Sequence, residues 1–145
     1  MDTEINKNSN IKQLQCGDLH NCFSFWDFKN DTEKRKRIER EIENKSRRMY
    51  AFILNDKYLA GMSLYPLEND TVYLSYLVVK EEYRNQGIGT EMIKYACQLS
   101  KTQGYIYITL NVDDQNLDAV RLYERLGFIA VRENDCGRIK MQKVL

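Results

Sequence analysis

No apolar run in this chain approaches the roughly 20 residues that a helix needs to cross a bilayer, so neither a membrane span nor a membrane partner is expected. The first ten residues are polar and lack the apolar core of a secretory signal, which makes a cytoplasmic protein the expectation. An excess of one charge is missing too. Lys and Arg number 22 against 21 Asp and Glu, a net charge of +1, and that balance calls for no nucleic acid and no anionic surface. Histidine is nearly absent. Any Ser-His or Cys-His nucleophilic pair would have to use His20, and no nucleophile motif accompanies it. Cys16, Cys22, Cys97 and Cys136 show no C-x-x-C spacing, which argues against zinc, and a reducing compartment argues against disulfides. No metal is expected. Repeats, linkers and low-complexity tracts are also missing, so the chain is read as one domain, 1–145, with residues 1–8 disordered.

Glycine is sparse at seven residues, yet two stand one residue apart in Arg84-Asn85-Gln86-Gly87-Ile88-Gly89-Thr90. A run that reads as a buried strand, Val72 to Val79, leads into this segment, and an amphipathic pattern from Ile88 to Leu99 follows it. The two glycines therefore fall where a helix begins. A helix start leaves its first N–H groups unpaired, and its dipole favours negative charge there. Glycine lacks Cβ and lets a ligand approach the backbone, while Arg84 can add a charge-assisted contact. Such a segment serves either as a plain tight turn or as a seat for a phosphate, best of all a pyrophosphate. The dinucleotide fingerprint is excluded because Met92 stands where its third glycine belongs. The P-loop is excluded because no Gly-Lys-Ser/Thr ending exists.

The remaining pattern is mixed. Ile11 to Gln15 alternates like a first strand. Leu19, Cys22, Phe23 and Trp26 recur at helical spacing, with Asp18 as a cap. Asp31 to Arg48 reads as a charged helix with Ile38 and Ile42 on its one apolar ridge. Its basic cluster, Lys34 to Arg37, is interleaved with Glu39, Glu41 and Glu43, as on a solvated helix face rather than a nucleic-acid surface. Met49 to Leu54, Leu59 to Tyr65 and Thr71 to Val79 read as strands of an antiparallel meander, with turns at Asn55-Asp56-Lys57 and Pro66 to Asp70. A helix over Gly87 to Ser100, a strand over Tyr105 to Leu110 and a helix over Asn116 to Leu126, stopped by Gly127, follow. Phe128 to Arg132 and Arg138 to Val144 finish as strands around a turn at Asn134 to Gly137. This is an α+β, mixed α/β pattern around one sheet.

Two separated blocks in this pattern belong together. Leu77-Val78-Val79 followed by Arg84-x-x-Gly87-x-Gly89, and then Asn116 with Ala119-Val120-x-Leu122-Tyr123-Glu124-x-Leu126-Gly127-Phe128, resemble the GNAT superfamily of N-acetyltransferases in order and spacing. The resemblance implies a central, mostly antiparallel mixed sheet flanked by helices, with a parallel strand pair that splays at the site of acetyl-CoA, the co-substrate. It implies that the backbone of Leu77, Val78 and Val79 holds the pantetheine and thioester. It implies that Arg84, Asn85, Gln86, Gly87, Ile88, Gly89 and Thr90 hold the pyrophosphate, that Asn116 touches the pantetheine arm, and that Tyr123 is the catalytic residue beside the thioester sulfur. On spacing alone, Tyr123 reads first as a core residue on the apolar stripe of its helix.

The implied activity is direct acetyl transfer to a primary amine of a small molecule, peptide or protein. The alternative is a non-catalytic acyl-CoA sensor or interaction module on the same fold. Several members of the family carry a glutamate base early on the fourth strand, but Thr71-Val72-Tyr73-Leu74-Ser75 has no carboxylate here. Glu68 and Asp70 in the preceding turn are the nearest substitutes, and the base is left unassigned. The acceptor side draws on Trp26, Phe28 and Tyr73, with Phe25 and Asp135 nearby, and the same residues read alternatively as core. A monomer or a homodimer, paired through the last hairpin, is expected.

Overall fold

The computed structural model describes residues 9–133 and 136–145. The expected disorder of residues 1–8, half of the expected last turn and the acceptor candidate Asp135 lie outside these residues. Strands β1 (Ser9–Gln13), β2 (Arg48–Leu54), β3 (Lys57–Pro66), β4 (Thr71–Val79), β5 (Tyr107–Asp113), β6 (Ile129–Glu133) and β7 (Arg138–Val144) form one sheet in the order β1-β2-β3-β4-β5-β7-β6. Every neighbouring pair is antiparallel except β4 and β5, which run parallel. The α-helices are α1 (Thr32–Glu43), α2 (Ile88–Thr102) and α3 (Leu117–Arg125), joined by short 3₁₀ segments at Cys16–Cys22 and Glu81–Tyr83. The mixed, mostly antiparallel α+β architecture is the one expected. Among the described residues no helix is long and apolar enough to cross a membrane.

Local chemistry sets most boundaries. Asn55 and Asp56 both take positive φ, as a two-residue turn between twisted antiparallel strands requires, and they close the β2–β3 hairpin. Asp31 caps α1 by accepting from the Lys34 N–H at 3.0 Å. This helix ends at Asn44, before the left-handed Lys45, and not at Arg48 as its charge pattern suggested. Arg48 belongs to β2 instead. The first expected helix is a 3₁₀ segment. Gln15 precedes it, and Asp18 acts from the third position by accepting from the Gln15 N–H at 2.8 Å. Trp26 therefore lies beyond that element. The strand expected from Tyr105 begins at Tyr107, because the Tyr105 N–H is taken by Ser100 O and that of Ile106 by Asp70 O.

The sheet buries a different core on each face. One face packs Val72, Leu74, Ile108 and Leu110 against Ile88, Met92, Ile93 and Ala96 of α2, with Phe128. The other packs Met49 and Ala51 against Leu14, Leu19, Cys22, Trp26, Phe28 and Ile38. The sheet is interrupted in two places. β4 and β5 pair only at Thr71 with Tyr107, Val72 with Ile108 and Tyr73 with Thr109. β5 then stays paired to β7 as far as Asp113, so β4 loses its neighbour beyond Tyr73 and a gap opens. Within β4 the pairing to β3 passes from Ser63–Ser75 to Gly61–Val78. Met62 thus faces two residues, Tyr76 and Leu77. Tyr76 has a φ of 58°, the mark of a β-bulge.

Candidate functional site

The gap leads into a cleft of about 980 Å³. Leu77, Val78 and Val79 of β4 form one wall, the segment before α2 forms the end, and α3 forms the other wall. Lys80 N–H donates to Leu59 O at 2.8 Å, which ties Lys80 to β3. Alternation along the strand then turns the backbone groups of Val79 and Leu77 away from β3 and into the gap. Arg84 Nε donates to Val79 O at 3.0 Å, so the guanidinium is fastened to the end of β4 and its terminal nitrogens remain for an anion.

The turn before α2 has the properties of an anion seat. Asn85 and Gly87 take φ of 63° and 83°. The first bond of the helix runs from the Glu91 N–H to Gly87 O, leaving the N–H groups of Ile88, Gly89 and Thr90 without intrahelical partners. A Cβ built on Gly87 or Gly89 meets nothing within 4 Å, so the glycines leave open a space that a side chain would fill. At the start of α3, Asn116 caps the helix by accepting from the Ala119 N–H at 3.2 Å through Oδ1. Nδ2 is the atom with which Asn116 can serve a ligand.

Of the expected cofactor residues, Leu77, Val78, Val79, Arg84, Asn85, Gly87, Ile88, Gly89, Thr90 and Asn116 line the cleft. Gln86 does not; it is exposed and folds back toward Glu82 O. Tyr123 is also outside the lining. It stands four residues beyond Ala119 and seven beyond Asn116, on the same helical stripe, and packs edge-on against Phe128 at 5.9 Å. Burial pushes its phenol up from the ordinary value, which keeps the hydroxyl protonated. Sequence reasoning missed Tyr83, Asp118, Arg121, Leu122 and Arg125, which also line the cleft. The signal for Arg121 and Arg125 was their i, i+4 spacing on the polar face of α3, one turn apart and both beside the cleft.

The acceptor candidates divide. Tyr73 is half-buried at the apex of the gap, where its hydroxyl accepts from Asn111 Nδ2 at 3.2 Å. Trp26 and Phe28 are 1% and 0% exposed and have no surface to offer an acceptor. Their apolar area is spent on the core, where Trp26 stacks on Tyr76 at 5.3 Å. The base candidates Glu68 and Asp70 are exposed and do not line the cleft. They precede the first residue of β4, and the seven residues from Asp70 to Leu77 span roughly 20 Å of strand. Among the described residues, no group of three or more His, Cys, Asp or Glu side chains is placed to hold a metal.

Residues 14–128 match the model of the acetyltransferase (GNAT) family. The chain belongs to that family. A thialysine N-epsilon-acetyltransferase of Sus scrofa is 43% identical over 56 residues, covering 39% of this chain and 33% of that protein. A spermine/spermidine N(1)-acetyltransferase of Bacillus subtilis is 32% identical over 79 residues, covering 48% of this chain and 52% of that protein. This GNAT chain therefore spans about half or less of the curated relatives it matches. The PaiA N-acetyltransferase from Thermoplasma acidophilum, crystallised in complex with coenzyme A, superposes with a TM-score of 0.78 at 19% identity, covering 94% of this chain and 99% of that one.

Proposed function

We propose that this chain transfers an acetyl group from acetyl-CoA directly to a primary amine, in the cytoplasm. One observation carries the reading: a single cleft joins unpaired N–H groups at a helix start, an opened strand edge and a capped helix. Bound acetyl-CoA supplies an activated thioester carbonyl and a thiolate leaving group. The N–H groups of Ile88, Gly89 and Thr90 bind its pyrophosphate with Arg84, and the helix dipole adds to that attraction. Leu77 and Val79 receive the pantetheine arm through backbone groups, as an added strand would be received. Arg121 and Arg125 put positive charge along the outer wall, where the remaining phosphate of the ligand can be met.

The acceptor must attack as a neutral amine. An alkylamine with a pKa near 10.4 costs roughly 4 to 5 kcal/mol to deprotonate at pH 7, which desolvation or a base has to offset. Negative charge that develops on the carbonyl oxygen needs a donor, and one backbone N–H at the β4 gap contributes roughly 3 kcal/mol. Tyr123, held protonated by burial, donates a hydrogen bond to the departing sulfur. A free phenol near 10 is a weaker acid than a thiol near 8.5, so hydrogen bonding and not full proton transfer is the role assigned. We read the transfer as direct, without an acyl-enzyme, and a cleft lining without cysteine among the described residues supports that reading.

The test is thiol release from acetyl-CoA across a panel of amino acids, polyamines, aminoglycosides and peptide N-termini. Release that depends on one amine class is expected. Coenzyme A binding without release by any class would overturn the enzymatic reading.

A further inference from the structure

Tyr76 sits in a backbone conformation that a residue with an aromatic side chain rarely adopts, with φ at 58°, in the middle of a strand. Something must hold it there, and three groups do. Trp26 Nε1 donates to Tyr76 O at 3.0 Å. The Trp26 and Tyr76 rings lie 6° from parallel at 5.3 Å. The Tyr76 hydroxyl donates to Asp27 Oδ1 at 3.0 Å, while Lys34 Nζ stands 5.0 Å from the ring centre. Two of the three groups come from the dipeptide Trp26-Asp27 and the other from α1.

The space for this clamp is built into β3. A Cβ on Gly61 would collide with Trp26 Cζ2 and Cη2, so the indole occupies the room that glycine leaves on the strand. Gly61 is also the β3 residue at which the register has shifted, opposite Val78. The shift decides which residues face the gap. Leu59 and Gly61 turn their backbone groups toward β4, and the bulge sets Lys80 and Val78 opposite them. Without the extra residue Val79 and Leu77 would take those places and be consumed in the sheet, and Val78 and Tyr76 would face the gap instead.

We propose that Trp26 is a positioning residue for acetyl transfer: by clamping Tyr76 in its left-handed conformation it keeps the backbone groups of Leu77 and Val79 in the acetyl-CoA gap. The proposal deepens the function proposed above and rests on it. Trp26 acts from the core, which explains a full burial that an acceptor-binding residue would not show.

The experiment uses the full chain with Trp26→Phe, Tyr76→Gly and the double variant. Trp26→Phe keeps a ring and removes the N–H donor. Tyr76→Gly adopts a positive φ freely and needs no clamp. Two readouts are taken: the carbon chemical shifts of residue 76, which report φ, and coenzyme A affinity by calorimetry. Trp26→Phe is expected to move the Tyr76 shifts toward extended values and to weaken coenzyme A at least tenfold. In the Tyr76→Gly background the same change is expected to cost less than twofold. Unchanged Tyr76 shifts in Trp26→Phe, or equal losses in both backgrounds, would overturn the proposal. Should Trp26→Phe not fold, Gly61→Ala displaces the indole from the other side, and the same outcomes decide. A wild-type chain that binds no coenzyme A would sink the functional reading, while the shifts of Tyr76 would still judge the clamp.

Discussion

At the scale of single residues, the glycines before α2 separate binding from folding. Gly89→Asp places a carboxylate at a helix N-terminus, where the dipole favours it, so the melting temperature should hold or rise. The same carboxylate stands where a pyrophosphate is proposed to sit, and calorimetry should show coenzyme A affinity reduced more than tenfold. Gly87 differs because its φ is 83°. Gly87→Ala should cost about 1 to 2 kcal/mol of stability, read from chemical unfolding, because a Cβ is disfavoured in the left-handed region. Tyr123→Phe removes only an oxygen and leaves the packing on Phe128. Turnover should fall at least tenfold while acetyl-CoA affinity stays within twofold, and equal turnover would remove Tyr123 from the mechanism. Burial raises the Tyr123 phenol above its ordinary value near 10, so the donor is intact at neutral pH. Its contribution should be lost only as pH climbs beyond that value, and Tyr123→Phe should lose that part of the alkaline limb.

At the scale of elements, α1 is fastened to the sheet by an ion pair in poor geometry. Arg47 is 8% exposed and stacks over the Tyr65 ring at 4.8 Å. Its Nε stands 3.6 Å from Glu41 Oε1, too far for a hydrogen bond, and Nε, Nη1 and Glu41 Oε1 are buried without a hydrogen-bond partner in the protein. Such a pair contributes less than its charges suggest, because desolvation offsets the attraction. Arg47→Met keeps the stem on Tyr65 and removes the buried nitrogens, so thermal unfolding should show equal or greater stability. Glu41→Ala strands the guanidinium and should lower stability by about 2 kcal/mol, less than for a fully buried pair because Glu41 is 28% exposed. The helix was readable as a helix, yet its end was not. Residues 44–48 carry the charges of a continuing helix, but Lys45 turns left-handed and Arg48 pairs with Leu64 of β3. Sheet pairing overrode a local pattern. α3 was legible at both ends because Asn116 caps it and Gly127, with a φ of 96°, stops it within the same short stretch of chain.

At the scale of the molecule, the two faces of the sheet have different tasks. The α2 and α3 face lines the cleft, and the α1 face clamps the bulge that shapes it. Cysteine reactivity should report the integrity of this arrangement. Cys136 is exposed, and Cys22 is fully buried with its thiol pushed up to about 12 by desolvation. A thiol reagent at pH 8 should label Cys136 at once and leave Cys22 unmodified until the chain unfolds. Rapid labelling of Cys22 in the native state would show that the α1 face opens. Much of the cleft lining was legible because it rests on local chemistry: glycines at a helix start, an asparagine at a cap, a strand before a turn. The acceptor side was not. Trp26 and Phe28 read in sequence either as acceptor-side aromatics or as core, and what decides for core is packing that includes Tyr76, about fifty residues away.

The sequence by itself determined where helices start, where tight turns fall and which groups could meet a phosphate, since each depends on residues within a few positions of one another. Tertiary structure alone decided that β4 parts from β5 after Tyr73, that Tyr76 carries the extra residue, and that Leu77 and Val79 face the opening. Those outcomes depend on register between strands and on a tryptophan packed against a glycine of β3, and no local rule of spacing encodes either.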